Sequence, residues 1–177
     1  MEVAENLALA SFVCLSDTEL AQTVAPELVK RLPPVDYLMT AEAKGICLTY
    51  EMSRIMGMKE FIVARKSRKP YMVNPVSHSV HSVTTQKEQP LWLDGCDADK
   101  IRGKLVALID DVIATGESLA AIENLAVTAG AQVVARAAIL AELGAVDRKD
   151  IIYLKEHYVF RPNADGTFTP IHSIDEA

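Results

Sequence analysis

Residues 104–142 constrain the fold more than any other part of this chain. KLVALI is a compact apolar run of strand length. SLAAIENLAVTAG carries apolar residues at helical spacing and closes on Gly130, and AQVVARAAILAE is apolar again. Strands joined through a crossover of this kind run parallel, because a tight hairpin would reverse the chain. The same order occurs earlier. VDYLMT is strand-like, GICLTYEMSRIMG spaces Ile46, Tyr50, Ser53, Ile55 and Met56 roughly as a helix does before Gly57 stops it, and EFIVARKS follows as a second strand. IIYL supplies one more edge strand. The expected architecture is an open α/β fold whose parallel central sheet is flanked by helices.

The rest of the chain is less periodic. One helix is expected from roughly residue 17 to residue 31, ending before Pro33 and Pro34. LWLD reads as a short strand and DADKIRG as a connection. MVNPVSHSVHSVTTQKEQP is polar and rich in Ser and Thr. It suits either a short hairpin or a long flexible loop, and a segment of this length is expected to close over a site, with Lys87 as a convenient tryptic cleavage point. Half of the 177 residues are hydrophobic, enough for one domain with a real core.

The net charge of −6 argues against a general nucleic-acid binder, so any anion site must be local. No apolar run is long enough to span a bilayer, and the N-terminus shows no basic region ahead of an apolar stretch. Cys14, Cys47 and Cys96 have neither paired nor metal-ligand spacing and read as reduced thiols of a cytoplasmic protein. The HxxH pair His78 and His81 lacks neighbouring carboxylates or thiols in a matching pattern, and no metal-ligand set is expected.

The sharpest chemical signal is LIDDVIATGESL. Asp110 and Asp111 would repel an anion, yet ATGES has the composition of a phosphate-cradling turn. A helix start offers free N–H groups and the positive end of its dipole. Thr115 and Ser118 add hydroxyls, and Gly116 lets the backbone approach. The carboxylates need hydroxyl donors or a divalent cation. One ligand satisfies both halves, a sugar with vicinal hydroxyls at one end and a phosphate at the other, such as ribose 5-phosphate. In a regular strand the two acids face opposite ways, so joint use requires a bend there. The bland alternative is that the acids end a strand and Ser118 caps a helix. There is neither GxxxxGK[ST] nor GxGxxG after a strand, so a triphosphate P-loop and a dinucleotide site are unsupported.

VALIDDVIATGES resembles the phosphoribosyl-pyrophosphate signature of type I phosphoribosyltransferases. The resemblance implies that Asp110 and Asp111 hold the ribose hydroxyls, while Ala114, Thr115, Gly116, Glu117 and Ser118 hold the 5-phosphate. ARKSRKP resembles the RKxGKLP segment of adenine phosphoribosyltransferases, which meets pyrophosphate, often across a dimer interface. Arg65, Lys66 and Lys69 match, with Arg68 in place of a glycine. AEAKG resembles the EARG pyrophosphate loop. Lys44 stands where arginine is usual and keeps the charge without the bidentate fork, and Gly45 completes the loop. The likeness to the adenine branch covers residues 35 to 142. It lapses in SVTTQKEQPLWLD, where the LEYG-like acidic motif is missing and Glu88 is an isolated acid.

The resemblance implies a single domain over residues 1–177, with a small hood built from roughly residues 1–34 and the C-terminal segment. It implies a purine phosphoribosyltransferase, adenine-type first, that takes phosphoribosyl pyrophosphate and a free base to a nucleoside monophosphate and pyrophosphate. Mg²⁺ would be bound mainly through substrate oxygens, and a homodimer is expected. Two alternatives stay open: a xanthine, hypoxanthine or other-base enzyme, and a regulatory protein that binds phosphoribosyl pyrophosphate without turnover. Tyr153, Tyr158 and Phe160 are candidates to stack on a purine, against ordinary packing. Trp92 reads as a packing residue.

Overall fold

The computed structural model describes residues 2–4, 7–78 and 90–171. Its centre is a five-stranded, all-parallel sheet in the order β4-β3-β7-β8-β9, formed by β3 (Tyr37–Ala41), β4 (Ile62–Ala64), β7 (Leu105–Ile113), β8 (Gln132–Ala141) and β9 (Ile152–Glu156). Helices α1 (Thr18–Val29), α2 (Ile46–Ile55) and α4 (Glu117–Thr128) cover it. The expected parallel sheet, its three principal helices and the edge strand at IIYL are all present. Asp17 caps α1 by accepting from the Leu20 amide at 2.9 Å, which supports the expected start of that helix.

Strand alternation divides the core between the two faces of the sheet. Leu38, Ala107, Ile109, Ala137 and Ile139 pack with Leu28 of α1 and with Leu48 and Met52 of α2. Met39, Val106, Leu108 and Ala138 pack with Leu119, Ile122, Leu125 and Ala126 of α4. Each fully buried aliphatic side chain contributes about 1.5–3 kcal/mol relative to exposure, and both faces of the sheet bury several.

Three segments differ from the sequence expectation. β7 does not end at Ile109. It runs through both acids to Ile113 and stays paired with β8 at Asp110↔Ala138, Val112↔Leu140 and Ile113↔Ala141. Ladder hydrogen bonds to a neighbour outweigh the poor strand preference of two aspartates. DADKIRG is no simple connection, because α3 (Gly95–Ile101) forms there and Asp94 Oδ1 accepts from the Cys96 amide at 3.3 Å. The polar segment forms β5 (Val76–His78), whose antiparallel partner is not the rest of that segment but β6 (Leu91–Leu93), the short strand expected at LWLD. The connection between them, residues 79–89 with His81, Lys87 and Glu88, lies outside the described residues.

A second sheet was not foreseen strand by strand. β1 (Glu2–Ala4), β2 (Leu7–Leu9), β10 (Val159–Pro162) and β11 (Phe168–Ile171) form four antiparallel strands in the order β1-β2-β10-β11. It joins the beginning of the chain to its end. Phe12, just after β2, lies 6.1 Å from the His157 ring, and His157 Nδ1 is 2.6 Å from Glu142 Oε1 at the end of β8. No helix among the described residues is long and apolar enough to cross a membrane.

Candidate active site

In parallel sheets of this kind, ligand sites form beyond the carboxyl ends of the strands, where neighbouring strands lead to opposite faces. Here that place lies between β3 and β7. Their pairing stops at Met39↔Leu108, while β7 continues for five more residues. The exposed upper edge of β7 carries the acid pair. Both carboxylates border one cavity of about 310 Å³, together with Glu42, Lys44, Lys66 and Ser118. No bend at the acids is needed. The site wraps the free edge of the strand, so a residue from each face reaches it.

The two acids have different surroundings. Asp111 follows the Ala107 and Ile109 face, toward the loop before α2. Its side chain is 5% exposed, with Lys44 Nζ 3.1 Å from Oδ2. That buried oxygen receives no directed hydrogen bond among the described residues. Asp110 follows the Val106 and Leu108 face, toward α4, and its Oδ1 accepts from the Asp111 amide at 2.9 Å. Burial, and then the neighbouring Asp111 charge, pushes the Asp110 carboxyl up to about 7. Asp111 Oδ2, held by the Lys44 charge, and the Asp110 carboxyl, with its raised proton affinity, together form a pair of acceptors beside the cavity.

Below Asp110 lies a smaller compartment of about 90 Å³, lined by Ala114, Thr115, Gly116 and Ser118 with Val112, Ile113 and Leu119. It is contiguous with the larger cavity, since Asp110, Val112 and Ser118 border both. Gly116 adopts φ +84 at the N-cap of α4, a conformation that strains any residue with a Cβ. Ser118 is therefore not the cap. It sits in the first turn and lines the compartment. Glu117 opens the helix, and its amide lies 3.4 Å from Thr115 Oγ1. Across the turn stands Arg148, whose Nη1 is 2.7 Å from the position a Cβ on Gly116 would take.

The cations approach from the β3 and β4 side. Lys44 and Lys66 line the larger cavity. The loop carrying Lys44 is held from the N-terminal segment, where the buried Cys14 thiol donates to the Lys44 carbonyl at 3.3 Å. Burial, with the Asp111 charge second, pushes that thiol up to about 11, so it stays a neutral donor. Gly45 ends the loop as N-cap of α2. A Cβ there would overlap Thr40 Oγ1 and come within 3.3 Å of the Ile109 carbonyl.

Not every expected cation reaches the cavity. Arg65 Nε is paired with Glu42 Oε1 at 2.7 Å, and Lys69 Nζ donates to Ser67 Oγ at 2.8 Å. Neither side chain lines the cavity, whereas Lys44, Lys66, Asp110, Asp111 and Ser118 do. Two residues had no assigned place in the sequence reading. Glu42 ties the loop after β3 to the basic segment, because its Oε2 also accepts from the Lys66 amide at 2.8 Å. Its position inside AEAKG was the available signal. Arg148 lies 32 residues beyond Gly116, and no local pattern links the two. Of the aromatic candidates, Tyr153 is half-buried in β9 and donates to the Val146 carbonyl at 3.1 Å, which is a packing role. Trp92 pairs through its backbone with Arg65, extending β6 along the end of β4.

Comparison with known proteins gives these features a context. The chain is 32% identical over 125 residues to the adenine phosphoribosyltransferase of Nocardia farcinica, covering 71% of this chain and 63% of that relative. To the adenine phosphoribosyltransferase of Rhodococcus jostii it is 30% identical over 135 residues, covering 75% and 73%. The hypoxanthine/guanine phosphoribosyltransferase of Methanococcus voltae is 31% identical over 127 residues, covering 71% and 64%. The chain thus spans just under two thirds of the length of the Nocardia and Methanococcus relatives. No family model matches it. The crystal structure of adenine phosphoribosyltransferase from Thermoanaerobacter pseudethanolicus superposes with a TM-score of 0.63 at 23% identity, covering 81% of this chain and 83% of that one, which shows a common fold. Such identity across most of the Rhodococcus relative, on a shared fold, makes the chain a member of the type I phosphoribosyltransferase family.

Proposed function

We propose that this protein is a purine phosphoribosyltransferase, adenine-type, that transfers the 5-phosphoribosyl group from phosphoribosyl pyrophosphate to a free base. The observation carrying this reading is the placement of Asp110 and Asp111 between a phosphate-sized turn and a lysine-lined cavity. A ribose ring spans that gap with its phosphate in the turn, its hydroxyls on the carboxylates and its anomeric carbon toward Lys44 and Lys66. The bond from the anomeric carbon to pyrophosphate breaks ahead of bond formation to the base nitrogen. Positive character then builds on the sugar beside two acids, and negative charge builds on the leaving group beside two lysines. As the new bond forms, the base's N–H proton passes to an oxygen of the departing pyrophosphate or to water. The protein's contribution is placement and electrostatics.

Mg²⁺ ordinarily takes one or two carboxylates and completes its shell with phosphate and water oxygens. No group of three or more ligating side chains is gathered among the described residues, which suits an ion carried mainly by substrate oxygens, with Asp110 and Asp111 left to the ribose hydroxyls. When bound, the ion would offset charge on the pyrophosphate. Lys44 faces Asp111 in the ligand-free site and must turn to pyrophosphate when hydroxyls arrive. Glu42 orients the backbone of Lys66 throughout.

The four-stranded sheet is the hood on this reading, with Phe160 on β10, one of its two inner strands. Arg65 and Lys69, which do not line this cavity, fit a pyrophosphate contact across a homodimer. The exposed Tyr71 and Val73 beside them are apolar surface that a second subunit would cover. Three free thiols suit a cytoplasmic setting. The test is direct: incubate the protein with phosphoribosyl pyrophosphate, Mg²⁺ and each purine or pyrimidine base singly, and follow the monophosphate. Adenine is expected to give AMP and pyrophosphate. Turnover with hypoxanthine, guanine or xanthine alone would reassign the base. Tight binding of phosphoribosyl pyrophosphate with no base consumed would make the protein a sensor instead.

A further inference from the structure

We infer that Arg148 is the side-chain cation of the 5-phosphate subsite, a binding residue supplied by the segment after β8. The inference rests on the phosphoribosyl reading above. The turn itself contributes only neutral side-chain donors, Thr115 and Ser118. Asp110 borders the same compartment and Glu117 opens the helix, so both nearby ionisable groups in this stretch are acids. Lys44 and Lys66 line the larger cavity and not the small one. A phosphate dianion entering the compartment thus meets helix N–H groups and carboxylates, with no cation from the turn to balance it.

Arg148 does not border the compartment in this structure but stands just outside it, against the turn that forms its wall. Its Nη1 lies 2.7 Å from the point where a Cβ on Gly116 would stand, so the guanidinium rests directly on the turn. Its other edge is already fixed. Nε donates to Asp150 Oδ1 at 3.0 Å and Nη2 to Asp150 Oδ2 at 2.7 Å, a fork that leaves the Nη1 edge facing Gly116. Asp150 is held in turn, with Oδ2 3.9 Å from Arg136 Nε, and Arg136 makes its own fork onto Glu123 of α4. The ladder Glu123, Arg136, Asp150 and Arg148 ties the cation to the same helix whose first turn forms the compartment. A guanidinium fixed on one edge loses little freedom when its other edge binds an anion. The glycine has a second reason to be there, because any side chain would push the cation off the turn.

The experiment is titration calorimetry of ribose 5-phosphate and, separately, of pyrophosphate on wild type, Arg148→Gln, Arg148→Lys and Asp150→Asn, with thermal melts of each ligand-free protein. Arg148→Gln is expected to weaken ribose 5-phosphate by about ten- to a hundredfold, the scale of a lost charge-assisted bond, and to leave pyrophosphate unchanged. Arg148→Lys should restore part of the loss, and Asp150→Asn should show a smaller loss of the same selectivity, since the charge remains but its orientation relaxes. Equal affinity of Arg148→Gln and wild type for ribose 5-phosphate would overturn the inference and leave the proposed function standing. So would an equal loss for both ligands, which marks a structural role. If Arg148→Gln melts before assay, the Arg148→Lys and Asp150→Asn pair decides by the same selectivity. Wild type that binds pyrophosphate but not ribose 5-phosphate would overturn the phosphoribosyl reading itself.

Discussion

At the scale of single residues, the acid pair carries the strongest physical consequences. Asp110 holds its proton more tightly in the folded protein, at about 7, than at its ordinary value of 3.8. The folded state therefore binds more protons than the unfolded chain between those values, and ligand-free stability should fall as pH rises through that window. Hydroxyl donors bond to the ionised carboxylate and reverse its preference. Affinity for ribose 5-phosphate should rise with pH up to about 7, by no more than about tenfold per unit, with proton release on binding. The sugar phosphate titrates near this range as well, so Asp110→Asn is the control: calorimetry across pH should show a flatter profile and about ten- to a hundredfold weaker binding. Asp111→Asn should lose a similar amount, and wild-type affinity in both variants would remove the ribose assignment. Gly45 is constrained by contact instead of charge. Gly45→Ala drives a methyl against Thr40 Oγ1 and the Ile109 carbonyl, backbone that cannot give way freely. About 1–3 kcal/mol of stability should be lost in urea melts, with a further drop in turnover because the loop carrying Lys44 must move.

Among the elements, α4 both packs and binds, and two of its buried residues separate those roles. Ile122 is wholly buried in the core, whereas Leu119 is buried and also lines the small compartment. Either change to Ala should cost about 2–5 kcal/mol by denaturant unfolding. Leu119→Ala alone should also weaken ribose 5-phosphate measured under native conditions. Matching losses of affinity in both would mean the helix start answers only to global stability. Elements long enough to show periodicity were legible in the chain, as were the acids and turn, which are contiguous from Asp110 to Ser118. The end of β7 was misplaced because aspartates read as strand breakers, while the ladder to β8 that retains them is made by residues 28 positions away. Helix α3 has seven residues, too few for an apolar period to emerge. Glu42 and Arg148 earn their places from partners 23 or more residues distant, and strand order, not local pattern, brings those together.

Across the whole molecule, stability should be unevenly divided between the two sheets. The central strands β3, β7 and β8 are covered by helices on both faces, with Leu38, Met39, Leu108 and Ile109 fully buried. The four-stranded sheet has strands of three or four residues, and Phe168 stands exposed at its far edge. Its links to the central sheet include the contacts among Phe12, His157 and Glu142. Short strands with little apolar cover open at lower free energy than a core sheet. Hydrogen exchange followed by mass spectrometry should therefore show residues 7–9, 159–162 and 168–171 exchanging well before 105–113 and 132–141. If that sheet is a hood over the base, AMP should slow exchange there by more than ribose 5-phosphate does, because only the nucleotide carries a base for it to cover. The turn at 114–118 should be protected alike by both ligands, since both fill it with a phosphate. Equal protection of the four-stranded sheet by the two ligands, or protection confined to the turn, would place the base elsewhere and leave that sheet with a purely structural role.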